Sequence, residues 1–249
     1  MGRTCSGADK RSIRECVWKL LKDAGVALPP GPFGRIPNFR GAEQAAIRIV
    51  GLGAWRKAGV VKINPDSPQR PVRLRALREG KTLLMPTPRL RRGFLLLDPS
   101  SIPSSRFNEA STIRGAFRYG VLLDTVDKLL RSVERVEFIV EGSVAVNRWG
   151  ERLGKGEGYG ELEYAILLDL GLIEGSVEIA TSVHDLQVIE SRLPQDPYDV
   201  PIDWIATPSK LIKCERGPRP PGILWDMLSE EKIKEIPLLR ELKAMVRKG

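Results

Sequence analysis

The apolar positions of the chain switch repeatedly between a helical and a strand period. DKRSIRECVWKLLKDAG places Ile13, Val17, Leu20 and Leu21 on one face, with Asp9 as a candidate N-cap and Gly25 as a stop, which predicts an opening helix. The Pro/Gly-rich stretch VALPPGPFGRIPNFRG reads as a loop, and AEQAAIRIVGLGAW predicts a second helix from Ala42 to Lys57. GVVKINP, KTLLMPTP and FLLLDP read as strands around the basic helix RPVRLRALREG, and residues 99–119 read as irregular. LLDTVDKLLRSVERV predicts a helix, VEFIVEG and VAVN strands, and Tyr159 to Leu170 a further helix. VEIATSV, LQVIES and VPIDWIATP supply more strands, and the tail SEEKIKEIPLLRELKAMVRKG reads as a helix broken at Pro237. Strands alternating with helices predict an α/β fold, a three-layer sandwich whose mostly parallel sheet is covered by helices on both faces. A single domain over residues 1–249 is expected.

One segment breaks the pattern. GERLGKGEGYGE carries glycine at every second position from Gly154 to Gly160, between a strand-like and a helix-like flank. Glycine inside an element costs roughly 0.5–1 kcal/mol relative to alanine, so the cluster predicts a backbone that must approach something closely. In open α/β sheets ligands sit where loops turn into helices beyond the strand ends. Glycine amides with a helix N-terminus make an anion site there, to which Arg152 and Lys155 add charge. The spacing fits neither GxxxxGK[ST] nor GxGxxG, where Tyr159 takes the third glycine's place.

Composition narrows the classes. No run reaches the roughly 18 apolar residues of a membrane span, and MGRTCSGADKRS lacks the apolar stretch of a secretory leader. Cys5, Cys16 and Cys214 are odd in number, scattered and without metal-ligand spacing, which predicts reduced thiols in a cytoplasmic setting. Residues 1–120 hold 23 Lys and Arg against 8 Asp and Glu, an excess of +15, and residues 121–249 hold 17 against 23, a balance of −6. A basic half beside an acidic half suits a polyanionic ligand: nucleotide phosphate, a polyglutamate tail or nucleic acid. The alternative is a solvated surface on a heat-adapted protein, since Asn and Gln number only four each while Arg and Pro are plentiful. Nucleic acid is the less favoured partner, because no RNP-like segment occurs and the basic residues are not interleaved with aromatics.

RLGKGEGYGELEY resembles the glycine signature of the 5-formyltetrahydrofolate cyclo-ligase family, roughly RLGxGxGYYD, and more closely its divergent branch of methenyltetrahydrofolate synthetase domains. KRSIR is similar to that family's KxxxR, LPQDPYDVPIDWIATP to its late LPxxxHDxxxDxIxT segment, and Gln187 stands where a glutamine is common. The resemblance implies a parallel α/β sandwich that converts 5-formyltetrahydrofolate and ATP to 5,10-methenyltetrahydrofolate, ADP and phosphate, with Mg²⁺. It implies that Lys10, Arg14, Arg152, Gly154, Lys155, Gly156 and Gly158 bind the nucleotide. Arg152 and Tyr159 would act on the reaction, Gln69 and Tyr159 would face the folate, and Glu161 would take the magnesium aspartate's place. Four positions depart from the pattern: Gly160 replaces the second tyrosine, Glu161 the aspartate, Gln69 the acidic folate contact, and Tyr198 the histidine before Asp199. Two alternatives stay open, a divergent ATP-binding relative acting on another small molecule, and an RNA-binding protein using the basic half. The lone His184 reads as a hydrogen-bonded histidine between strands rather than an acid or base. Asp203 is open between a magnesium neighbour and a turn cap, and Trp149 is the tryptophan best placed to stack on a ring.

Overall fold

The computed structural model describes residue 5 and residues 9–246; apart from Cys5, the segment MGRTCSGA read above for a leader lies outside the described residues. In chain order the elements are α1 (Lys10–Asp23), α2 (Ala42–Val50), α3 (Gly53–Lys57), β1 (Val60–Ile63), α4 (Arg70–Arg78), β2 (Thr82–Pro86), β3 (Phe94–Leu97), α5 (Phe107–Ala110), α6 (Ile113–Tyr119) and β4 (Val121–Leu123). Then come α7 (Val126–Ser132), β5 (Phe138–Glu141), β6 (Ala145–Val146), β7 (Arg152–Leu153), α8 (Tyr159–Asp169), β8 (Glu178–Ser182), β9 (Trp204–Ala206), β10 (Leu211–Lys213), α9 (Glu230–Glu235) and α10 (Pro237–Val246).

The large sheet runs β10-β9-β8-β5-β1-β2-β3-β4. Its five central strands are parallel, and β10, β3 and β4 are antiparallel to their neighbours at the two edges. Alternation along the strands divides the core as period two requires. Val61, Ile63, Phe138 and Val140 face α2, α3 and α4 through Ala45, Ile49, Trp55, Val72 and Ala76. Ile139 and Ile179 face α7, α8 and α10 through Leu129, Ile166 and Leu239. Helices therefore cover both faces of a mostly parallel sheet, as predicted. Six consecutive residues of α8, Leu162 to Leu167, are buried, the mark of a helix enclosed on all sides. A third cluster packs Ile13, Val17 and Leu21 of α1 against Val144, Ala145 and Leu153 of the β6–β7 hairpin.

Several elements differ from the sequence reading, each for a local reason. The helix predicted over 42–57 splits because Gly51 caps α2 and Leu52 is extended (φ −66°, ψ 143°) before α3. LLDTVDKLL begins as edge strand β4, and α7 starts only after Thr125, whose hydroxyl accepts from Lys128 N. Residues 99–119 hold α5 and α6 rather than irregular chain, with Thr112 capping α6. LQVIES is no strand: residues 185–187 form a single 3₁₀ turn, and Val188 makes one bridge to Val146. The cysteine expectation is overturned as well. Cys5 and Cys16 form a disulfide that ties Cys5 to α1, and Cys214 is buried, which pushes its thiol up to about 12. Among the described residues no helix is long and apolar enough to cross a membrane.

Candidate active site

The glycine turn is shorter than the segment GERLGKGEGYGE. Val146 and Ala145 pair with Arg152 and Leu153, so a small hairpin comes first and residues 154–158 alone connect it to α8. Gly156 (φ 105°) and Gly158 (φ 71°) take backbone conformations that side chains disfavour, and a Cβ on Gly156 would lie 3.3 Å from the Arg14 guanidinium. Gly158 is the N-cap of α8 and offers no side-chain acceptor, which leaves the amides of the first helical turn directed at the loop. Arg14 reaches across 140 residues of sequence to donate from Nε to Gly154 O at 2.7 Å. Lys10, one turn earlier on the same face of α1, instead pairs with Asp196 at 2.6 Å and with Asp199.

Two cavities flank the turn. The larger, about 730 Å³, lies between the loop around Arg35, the strand end at Asn64 to Ser67, Arg89 and Arg91, and the turn itself from Gly154 to Glu161. The smaller, about 300 Å³, lies on the other side, where Gly156, Glu161 and Tyr198 meet the apolar side chains of Leu162, Ala165, Ile223 and Leu228 and the ammonium of Lys232. Arg152 is buried beneath the larger cavity. It donates to Gly142 O at 2.8 Å and pairs with Glu161, so Glu161 already serves a cation. Lys155 pairs with Glu157 at 2.7 Å. Tyr159 lies under Lys232, whose Nζ is 4.5 Å from the ring centroid, and burial raises its phenol above the ordinary value.

A sequence profile of the 5-formyltetrahydrofolate cyclo-ligase family matches residues 6–208, most of the chain. The chain belongs to that family. The methenyltetrahydrofolate synthase domain-containing protein of Mus musculus is 39% identical over 247 residues, covering 96% of this chain and 64% of its own length. The Homo sapiens protein of the same description is 37% identical over 246 residues, covering 96% and 62%. The chain thus spans just under two thirds of these relatives. The fold is that of the NMR structure of Aquifex aeolicus 5,10-methenyltetrahydrofolate synthetase, with a TM-score of 0.51 at 20% identity over 84% of this chain and 94% of that one.

The family signature did not disclose a buried ion cluster under the larger cavity. Lys62 of β1 donates to Asn64 Oδ1 at 2.7 Å and to Glu141 Oε1 of β5 at 2.5 Å, and pairs with Glu163 of α8. The three charged side chains are at most 5% exposed, and burial pushes Glu163 up to about 8. Buried charges persist only when paired, and perturbed groups gather at functional sites. The signal was present in the sequence: a lysine inside VVKIN and a glutamate inside LEYAILL interrupt otherwise apolar runs. The cluster also accounts for Gly160, since a Cβ there would lie 2.9 Å from Glu141 Oε2. Gln69 is fully buried and donates to Ser182 Oγ at 3.0 Å; it does not line either cavity. Asp66, three residues earlier, does line the larger one, and burial raises its carboxyl. Buried Arg73 holds this strand end by donating to Ser111 O at 2.8 Å, Asp66 O at 3.0 Å and Asn64 O.

The remaining candidates serve the scaffold. His184 caps the 185–187 turn, its Nδ1 accepting from Leu186 N at 3.2 Å, so it is a turn cap and not a link between strands. Gln187 donates to Ser143 O and Val144 O and fixes the start of the hairpin. Asp203 pairs with Arg216 and Arg219 and accepts from Ile179 N. Both Arg148 and Arg192 stack on Trp149, at 4.7 and 4.3 Å from the ring centroid. Among the described residues no group of three or more His, Cys, Asp and Glu side chains could hold a metal. The donor set around Glu161 therefore suits only a Mg²⁺ carried mainly by phosphate and water.

Proposed function

We propose that the chain is an ATP-dependent cyclo-ligase that closes 5-formyltetrahydrofolate to 5,10-methenyltetrahydrofolate. The observation that carries this reading is the glycine turn with its uncapped helix start, gripped by Arg14 and lying between two cavities of unequal size and polarity. The smaller cavity, walled by Leu162, Ala165 and Ile223, suits an adenine ring; the larger, with Asp66 on its wall, suits the pterin and its tail. Phosphates between them would meet the turn amides, Arg14 and Lys155. Such a transfer needs alignment and charge neutralisation more than covalent help.

In this reading the formyl oxygen attacks the γ-phosphorus and ADP leaves. N10 then adds to the formyl carbon and gives up its proton, and phosphate departs to leave the methenyl bridge. Lys155 and Arg14 offset the charge on the transferred group, the turn amides orient its oxygens, and Asp66 accepts from pterin N–H groups. Arg152 holds the turn to the sheet through Gly142 and Glu161 and so acts by positioning. Mg²⁺, when bound with the nucleotide, supplies further neutralisation of phosphate charge, with Glu161 the carboxylate to hold it.

Thermal unfolding with Mg·ATP, with 5-formyltetrahydrofolate and with both tests the reading, because a ligand that binds the native state raises its stability by mass action. Each is expected to raise the midpoint, and both together should yield the absorbance of the conjugated methenyl product. No shift with either ligand would overturn the proposal.

A further inference from the structure

One acidic residue sits inside the glycine turn, where a phosphate-binding loop has least use for negative charge. Glu157 borders both cavities. Its Oε1 is 3.0 Å from Arg89 Nη2, its Oε2 is 2.7 Å from Lys155 Nζ, and its backbone carbonyl accepts from Lys232 Nζ. These three cations come from three separate parts of the chain: the β2–β3 connection, the turn, and α9. Arg89 (φ 58°) and Leu90 (φ 52°) are consecutive non-glycine residues in the left-handed region, which aims the arginine back toward the turn. Lys232 is half-buried, and its ammonium also faces Glu161 and Glu235. Two cations on one partly exposed carboxylate, with a third on the carbonyl of the same residue, have the form of an oxyanion clamp closed on an anion of its own.

We propose that Arg89, Lys155 and Lys232 form a clamp for the phosphoryl oxygens of a nucleoside polyphosphate, and that the Glu157 carboxylate occupies it until the ligand displaces it. The proposal rests on the reading that the turn receives phosphate, and it adds Arg89 and Lys232 to the ligand-binding residues. Glu157 keeps the clamp cations from repelling one another when no ligand is bound, and it also competes with the ligand. Charge-assisted hydrogen bonds to phosphate are the strong ones, so the exchange of one carboxylate for several phosphoryl oxygens favours the ligand. A monoanion, which offers the clamp little more than Glu157 does, gains little.

Calorimetric titration with inorganic triphosphate tests the clamp without adenine or folate. Arg89→Ala and Lys232→Ala should each weaken triphosphate binding about tenfold. Glu157→Gln, nearly isosteric, should tighten it several-fold. A merely structural role for Glu157 does not produce that opposite sign. Triphosphate affinity unchanged in both cation variants, or weakened in Glu157→Gln, would overturn the proposal. An absence of folate turnover alongside the expected rank order would count against the cyclo-ligase reading and leave the clamp standing.

Discussion

Replacing Lys62 by methionine tests what the buried ion cluster contributes. The change keeps an unbranched apolar stem and removes the cation from between Glu141 and Glu163, whose side chains are 2% and 5% exposed. Burial raises the Glu163 carboxyl while Lys62 lowers it, so loss of the cation raises it further. Glu141 loses its ion-pair partner and is left buried without that cation. Breaking a buried pair by removing one partner costs roughly 3–5 kcal/mol. The sign with pH follows from linkage. A carboxyl whose folded pKa is raised makes the folded state bind the extra proton, so its stability is present at low pH and lost as pH rises toward the folded value. The deficit of Lys62→Met relative to wild type should therefore be about 3–5 kcal/mol at pH 7 and be smaller near pH 5. Urea unfolding followed by fluorescence of the buried Trp55 at the two pH values measures it. The double variant Lys62→Met, Glu141→Gln should recover most of the loss at pH 7. A deficit below about 1 kcal/mol at pH 7, or one equal at both pH values, would refute the reasoning.

Lys155→Ala should weaken Mg·ATP binding about tenfold or more, as expected from loss of a charge-assisted contact; unchanged affinity in calorimetry would remove Lys155 from the nucleotide site. Asp66→Asn should weaken binding of 5-formyltetrahydrofolate and leave Mg·ATP unaffected, because Asp66 lies on the wall of the larger cavity only; an equal loss for both ligands would count against the division of the cavities. Gly160→Tyr, which restores the residue expected from the family signature, should destabilise by at least about 1–3 kcal/mol, since its Cβ meets Glu141 Oε2 at 2.9 Å. A stable variant would show that the Lys62–Glu141 pair moves aside.

The sequence disclosed what local pattern and spacing govern. α1, with Asp9 as its cap, begins and faces as predicted, and the start of α8 at Tyr159 followed from the glycines before it. The Arg14 contact with the turn was legible through the family's KxxxR spacing. Features set by tertiary partners were not. Val121–Leu123 is a strand only because β3 lies beside it, and LQV is a turn because His184 Nδ1 accepts from Leu186 N and Gln187 Oε1 accepts from His184 N. The pattern of NPDSPQRPVR does not show that Gln69 turns into the core while Asp66 faces the cavity; its last residue, Arg73, holds that geometry by donating back to the carbonyls of residues 64 and 66. The cluster of Lys62, Glu141 and Glu163 joins two strands and a helix, and no single window contains it.

The Lys10 and Arg14 contacts also set an order of events in biosynthesis. Helix α1 leaves the ribosome well before its Lys10 partner Asp196, which lies 186 residues downstream. At cellular elongation rates of 5–20 residues per second, roughly 10–40 s pass before that partner is made. Throughout this interval the stripe of Ile13, Val17 and Leu21 lacks the Ile189 and Leu193 surface that later covers it. A nascent chain stalled before residue 190 already holds β1, β2, β5 and the glycine turn, but not the Asp196–Asp199 loop that fixes Lys10. Fixing of Lys10 thus waits for the Asp196–Asp199 loop, although the hairpin and turn that α1 packs on are made before it.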